Sequence, residues 1–160
     1  MTPRIVQAEL WQVIPDSDMI VVSTNGSISK DGTLVMGRGA ALQARRHHPG
    51  IERECARSIQ TSIESTRSVC GSWVYGFLVV RQPMHRQPGF GIFQVKRIWT
   101  EAASLKLLSL SVAMLNRYAR LCPERSIRMN YPGIGNGGLR RDSVEPLLAC
   151  LPENVTICYR

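Results

Sequence analysis

Met19-Ile20-Val21-Val22-Ser23-Thr24, followed directly by Asn25-Gly26, is an apolar, β-branched run that stops at a polar pair. A half-exposed strand alternates apolar and polar residues, whereas a continuous run belongs to a sheet covered on both faces. Residues 19–24 therefore predict a central strand with helices on either side. Outward from it, Arg4–Leu10 reads as an earlier strand, and "VMGRGAALQARRHHPG" (Val35–Gly50) as a glycine turn feeding a helix that Pro49-Gly50 stops. A second helix is expected over Ile51–Ile59.

Farther along, "SWVYGFLVVRQ" (Ser72–Gln82) and "GIFQVKR" (Gly91–Arg97) flank a loop with Pro83, Pro88 and Gly89, and read as a hairpin or two adjacent strands. Leu105, Leu108, Val112 and Leu115 recur at helical spacing and predict a helix from about Thr100 to Arg120. A strand at Ser126–Asn130, the loop "YPGIGNGG" (Tyr131–Gly138), a helix at Ser143–Leu151 and a strand at Val155–Tyr159 complete the pattern. Strand, glycine turn and helix in alternation predict an α/β fold with a mixed, mostly parallel sheet, and ligand at the carboxyl ends of its strands. With 160 residues, 44% of them hydrophobic and 20% charged, one domain spanning 1–160 is expected.

Composition narrows the partners. No stretch approaches the ~20 apolar residues of a membrane span, and Met1–Ile5 lacks a secretory apolar region, so a cytoplasmic protein with no membrane partner is expected. Five cysteines without a CxxC pair suggest neither a disulfide framework nor structural zinc. His47 and His48 are adjacent, hence point apart on a helix and cannot share one metal ion, and His85 reads as a surface residue. The net charge of +8 comes from 17 Arg against 3 Lys, and the planar guanidinium suits phosphate and carboxylate. A polyanionic partner follows. A nucleic-acid-binding domain is one reading of that charge, although no recognisable nucleic-acid motif accompanies it.

Gly133-Ile134-Gly135-Asn136-Gly137-Gly138 follows a strand and precedes a helix. Glycine there admits positive φ and lets backbone N–H groups approach an anion, with the helix start adding its positive end. Gly133, Gly135 and Gly138 also satisfy GxGxxG, but that fingerprint opens a Rossmann domain, and here it comes 22 residues before Arg160. A glycine turn without ligand is the plain alternative.

These residues resemble the macro domains. "IVVSTN" (Ile20–Asn25) is similar to their "IVNAAN", keeping the final Asn25 and carrying Val22 in place of the first Asn. "VMGRGAALQ" (Val35–Gln43) resembles "MGKGIAL" of the branch that holds the terminal ADP-ribose glycohydrolases and the antitoxin of a DNA-ADP-ribosylating toxin. "GIGNGGL" (Gly133–Leu139) differs from that branch's "GCGNGGL" at one residue. The resemblance implies a three-layer α/β/α macro fold, a monomer without cofactor or metal, and ADP-ribose or an ADP-ribosylated molecule, ADP-ribosylated nucleic acid included, as partner.

It also implies roles for particular residues. Glu9, with Leu10 beside it, stands where the family has the Asp of "GDL" that takes the adenine amino group, and Asn25 would contact the distal ribose. Val35, Met36, Gly37, Arg38, Gly39 and Ala40 would line the ribose and phosphates. Gly135, Asn136, Gly137 and Gly138 would cradle the diphosphate, flanked by Gly133, Ile134 and Leu139. Plain readings stand beside these: Asn25-Gly26 is a common turn pair, and Glu9 a solvated strand residue.

"FQVK" (Phe93–Lys96) resembles the "FPTK" or "LITK" of the same branch, whose lysine acts at the anomeric carbon. For Lys96 to do so its amine must lose a proton, which needs burial or a neighbouring cation such as Arg97. Arg140 occupies the position of the branch's acid, and the next acid is Asp142. Asp142-Ser143-Val144-Glu145 also has capping-box spacing, so Asp142 is read either as a catalytic acid or as a helix cap. Two functions follow from the resemblance. One is hydrolysis of an ADP-ribosyl derivative, a modified target or ADP-ribose 1''-phosphate, with Lys96, Asn25 and Asp142 as candidates and water at Asn25 as the variant. The other is a reader that binds without turnover.

Overall fold

The computed structural model describes residues 2–12 and 18–160. Its elements are β1 (Arg4–Gln7), β2 (Met19–Thr24), α1 (Gly39–His47), α2 (Ile51–Thr61), β3 (Thr66–Arg67), β4 (Trp73–Val74), β5 (Phe77–Arg81), β6 (Gly89–Gln94), α3 (Leu105–Leu121), β7 (Ile127–Asn130), α4 (Arg141–Leu148) and β8 (Val155–Tyr159). Six strands form one sheet in the order β1-β8-β7-β2-β6-β5, and β3 pairs with β4 apart from it. All neighbours in the large sheet run parallel except β5, which is antiparallel to β6. The mixed, mostly parallel sheet is as expected.

Side chains of β2 divide by parity, as the pleat requires. Met19 and Val21 pack with Leu108, Val112 and Leu115 of α3 and Val144 and Leu148 of α4. Ile20 and Val22 pack with Ala41 and Ala44 of α1 and Ile51, Cys55 and Ile59 of α2. The result is α/β/α in three layers. No helix among the described residues is long and apolar enough to cross a membrane.

Three boundaries depart from expectation for physical reasons. The first strand ends at Gln7, because the chain turns at Glu9, whose carbonyl accepts from Gln12 N–H at 3.2 Å. Helix α3 begins only at Leu105: Ala103 N–H bonds the Gly137 carbonyl (2.8 Å) and Ser104 N–H the Val95 carbonyl (2.9 Å), so the chain before the Ser104 cap is held in a loop. The "SWVYGFLVVRQ" strand breaks at Tyr75-Gly76, where Gly76 takes φ +72°. A Cβ there would collide with the Met114 sulfur on α3.

Helix α4 corrects the capping-box expectation. It starts at Arg141 after Arg140, with no side-chain cap, so Asp142 lies inside the first turn and caps nothing. A carboxylate there still opposes the helix dipole favourably.

Candidate functional site

The carboxyl ends of β2, β6 and β7 open into a cleft of about 410 Å³. Ser23, Thr24 and Asn25 form its floor, Val35–Ala41 one wall and Gly133, Ile134, Asn136 and Gly137 the other, with Lys96 and Trp99 at the β6 side. A Cβ added to Gly39 would stand 3.5 Å from the Asn136 amide nitrogen, so the two glycine loops face each other closely.

Helix α1 aims its amino end into this cleft. Arg38 is its N-cap and supplies no side-chain cap, its first turn holds no acid, and Arg45, Arg46 and His47 crowd its last turn. Unsatisfied N–H groups and the positive dipole end are thereby presented to whatever occupies the cleft. The charged lining residues are Arg38 and Lys96, both cations. The electrostatics of such a cavity suit an anion.

Lys96 is half-buried, and burial, then the charge of Arg38, holds its amine below the ordinary lysine range. The neighbouring cation is Arg38 and not Arg97, whose guanidinium pairs with Glu101 at 3.2 Å. Asn25 is buried with its side chain engaged at both ends: its amide donates to the Val35 carbonyl and its oxygen accepts from Ser27 N–H, each at 2.9 Å. The side chain thus ties the floor to the α1 wall and keeps one N–H and one lone pair for a ligand. Gly26 is needed for close approach, since a Cβ there would collide with the Trp73 carbonyl, and its φ is not left-handed.

The cleft brings together Asn25, Val35, Met36, Gly37, Arg38, Gly39, Ala40, Lys96, Gly133, Ile134, Asn136 and Gly137. It does not bring in the others. Glu9 sits at the same sheet edge with its carboxylate on Arg160 at 2.8 Å, and Leu10 is buried in the core. Asp142 is exposed and 3.4 Å from Arg140, outside the lining. The N–H groups of Gly138 and Leu139 are used inside the turn, on the carbonyls of Gly135 (3.0 Å) and Gly133 (2.9 Å). Gly135 itself faces open space.

Residues not singled out from sequence also line it: Ser23, Thr24, Ala41, Val95, Trp99, Asn130 and Tyr131. The rule placing ligands at strand carboxyl ends would have selected Asn130-Tyr131 directly before the glycine loop. Trp99 is 52% exposed although large and apolar. Its backbone N–H donates to Ser27 Oγ at 3.1 Å, which fixes the loop so that the indole borders the cleft.

A second hollow, about 470 Å³, lies at the opposite edge beside His48 and Arg81, where the Arg81 guanidinium is already paired with Glu54. His47 stacks on Trp11 with centroids 4.5 Å apart, and no group of three metal-ligating side chains exists among the described residues.

No family model matches the sequence, and no curated protein does. Solved structures do match over almost the whole chain. The macrodomain of Mycobacterium tuberculosis DarG aligns with TM-score 0.68 and 20% identity, covering 99% of this chain and 98% of that one. The macrodomain of Thermus aquaticus DarG gives 0.67 and 20%, with 99% and 98% covered. Thermosipho africanus DarTG in complex with ADP-ribose gives 0.70 and 17%, covering 98% of this chain and 41% of that one. This chain therefore has the macrodomain fold.

Proposed function

We propose that the cleft binds ADP-ribose and that the protein hydrolyses an ADP-ribosyl derivative, releasing ADP-ribose from a modified target or from ADP-ribose 1''-phosphate. The observation that carries this reading is the charge of the cleft: the amino end of α1 faces the Gly133–Gly137 loop, and the charged lining residues are the cations Arg38 and Lys96. A diphosphate has the charge that suits such a groove. Glu9 is paired with Arg160, so recognition of an adenine amino group by its carboxylate would require that ion pair to yield.

Hydrolysis breaks the bond between the anomeric carbon and the leaving group, and water supplies the new hydroxyl. Lys96, its amine made easier to deprotonate by burial and Arg38, stands at the β6 side of the cleft to act as base or nucleophile. Asn25 retains one N–H and one lone pair, enough to orient a water. A reader without turnover has one observation in its favour: no carboxylate lines the cleft among the described residues.

Calorimetric titration with ADP-ribose, beside AMP and NAD, tests binding, and chromatography of released ADP-ribose from modified protein, modified nucleic acid and the 1''-phosphate tests turnover. One site with preference for ADP-ribose, and release from at least one substrate, is expected. Binding of any polyanion with a steep salt dependence would instead make this a nucleic-acid surface. One-site binding without release from any substrate would leave the reader.

A further inference from the structure

Behind the floor of the cleft lies a buried hydrogen-bond network. Gln94 ends β6 and is 0% exposed. Its side chain uses both acceptor and both donor positions. Oε1 accepts from the N–H groups of Tyr75 at 2.9 Å and Gly76 at 3.2 Å, and Nε2 donates to the carbonyls of Trp73 at 2.8 Å and Lys96 at 3.2 Å. Tyr75, also buried, donates its hydroxyl proton to the Asn25 carbonyl at 2.7 Å. With that proton committed, Thr24 Oγ1 must be the donor to Tyr75 Oη.

Backbone bonds complete the lacing, from Gly26 N–H to the Arg97 carbonyl (2.9 Å) and from Trp73 N–H to the Gly26 carbonyl (2.8 Å). Gln94 thus joins segments 73–76 and 94–97 directly, the Tyr75 hydroxyl and the Gly26 backbone tie segment 24–26 to them, and two of the three segments carry Asn25 and Lys96. The resembling motifs "FPTK" and "LITK" have proline or isoleucine at this position, and neither side chain can make any of these four bonds.

We propose that Gln94, with Tyr75 as its relay, is the positioning residue of the cleft, holding the backbones of Asn25 and Lys96 at the separation at which both meet one ligand. The inference rests on the reading of the cleft as an ADP-ribose site. A glutamine that only stabilises the fold would alter melting; one that positions the cleft alters affinity in a protein that remains folded.

Gln94→Glu separates the two. The replacement is isosteric, and while protonated its single O–H can still donate to one of the two carbonyls, that of Trp73 being the nearer, so the longer bond to Lys96 is the first to be lost. Burial raises its pKa, so on ionisation at higher pH it turns an acceptor toward the Trp73 and Lys96 carbonyls, and the bonds are lost. ADP-ribose affinity is measured by calorimetry for the wild type and Gln94→Glu at about pH 5.5 and about pH 9.5, values on either side of the pKa of about 8–9 that a fully buried carboxyl reaches, with circular dichroism confirming the fold. The ratio of the two affinities cancels any pH dependence common to both. A small deficit is expected at the lower pH, where one carbonyl bond persists, and a larger one of about tenfold at the higher, equal to the loss of roughly one ligand hydrogen bond.

Should ionised Gln94→Glu unfold, Tyr75→Phe decides, because it keeps the ring and the backbone N–H on Gln94 and removes only the hydroxyl that joins Thr24 and Asn25. Unchanged affinity in folded Tyr75→Phe, or an affinity ratio near one at both pH values, overturns the proposal while leaving the ADP-ribose site standing. Absence of ADP-ribose binding by the wild type overturns the reading of the cleft and this inference with it.

Discussion

Gly37 offers the most direct test of where a ligand lies. It lines the cleft just before α1, its φ is outside the left-handed region, and no heavy atom lies within 4 Å of where a Cβ would stand. A side chain is accommodated there without backbone strain, and the open space it enters is the cleft. In Gly37→Phe the ring displaces a diphosphate from the amino end of α1. Hydrogen bonds to charged groups contribute about 1.5–3 kcal/mol each, so losing two costs about 3–6 kcal/mol, roughly 10²- to 10⁴-fold in Kd. The fold should hardly change: a surface substitution shifts stability by about 0.5 kcal/mol, or roughly 1–2 °C in Tm at this size. Gly137 is the contrast. It is buried, and a Cβ would meet the Ala103 Cβ at 2.9 Å, so Gly137→Ala overpacks the loop. That costs about 1–3 kcal/mol, a fall of roughly 2–12 °C in Tm. Calorimetry and thermal melting on both variants read the two effects separately. Wild-type ADP-ribose affinity in folded Gly37→Phe would refute the placement of the ligand between the two loops.

Lys96→Ala should lower turnover by about 10²-fold or more while ADP-ribose affinity changes by less than about tenfold, since a base acts chiefly in the transition state. Single-turnover kinetics beside calorimetry measures both, and an equal fall in the two makes Lys96 a binding contact only. The wild-type rate should rise with pH and level off below the ordinary lysine range, because the neutral amine is active and burial and Arg38 both lower its pKa. Arg38→Gln removes the smaller cause, so the rising limb should move part of the way up in pH; a limb that stays in place excludes Lys96 as the titrating group. Trp99→Ala should weaken ligand binding by roughly 2- to 12-fold, the worth of an aromatic contact, and Trp99→Phe should keep most of it; equal affinity in all three proteins removes the indole from the site. Cys70 is exposed, and the Ser68 and Ser72 hydroxyls bring its thiol down to about 7, whereas burial pushes Cys55 and Cys158 up. Iodoacetamide should therefore label Cys70 first, with a rate rising through about pH 7 that slows in Ser68→Ala; mass spectrometry reading Cys55 first would contradict the environment of both.

The layer order was legible where the sequence is locally consistent. Residues 19–24 carry no polar alternation, and β2 occupies those positions, flanked by parallel neighbours and covered on both faces. Val155–Tyr159 was equally plain. Tertiary contacts decided the rest. The residues before Leu105 look helical, yet Ala103 and Ser104 give their N–H groups to the Gly137 and Val95 carbonyls, a choice no local pattern encodes. The "SWVYGFLVVRQ" run looks like one strand, but the Gln94 side chain captures Tyr75 and Gly76 from 19 and 18 residues away and splits it. Within the site, the glycine loops were readable because glycine has few other uses at a strand end. The cation beside Lys96 was not, because Arg38 is distant in sequence while Arg97 is adjacent and engaged with Glu101.

That arrangement bears on how affinity and rate divide. Arg38, Lys96 and the amino end of α1 all favour a bound diphosphate, and they do so before and during bond cleavage alike. Contacts equal in the ground and transition states raise affinity without raising the rate. Acceleration has to come from a group whose interaction changes as the anomeric bond breaks, and the lining holds no carboxylate among the described residues. Asp142, pointing to solvent beside Arg140, does not supply one without movement of the start of α4. Lys96 is the titratable cleft residue whose protonation is shifted toward a reactive form, and the same Arg38 charge that helps hold the diphosphate helps shift it. On the proposed mechanism, binding and activation are opposed in one residue: the protonated amine would strengthen the anion site, and the neutral amine would do the chemistry. As pH rises through the Lys96 pKa, affinity should decline while turnover of bound substrate increases, a divergence that a pure reader would not display.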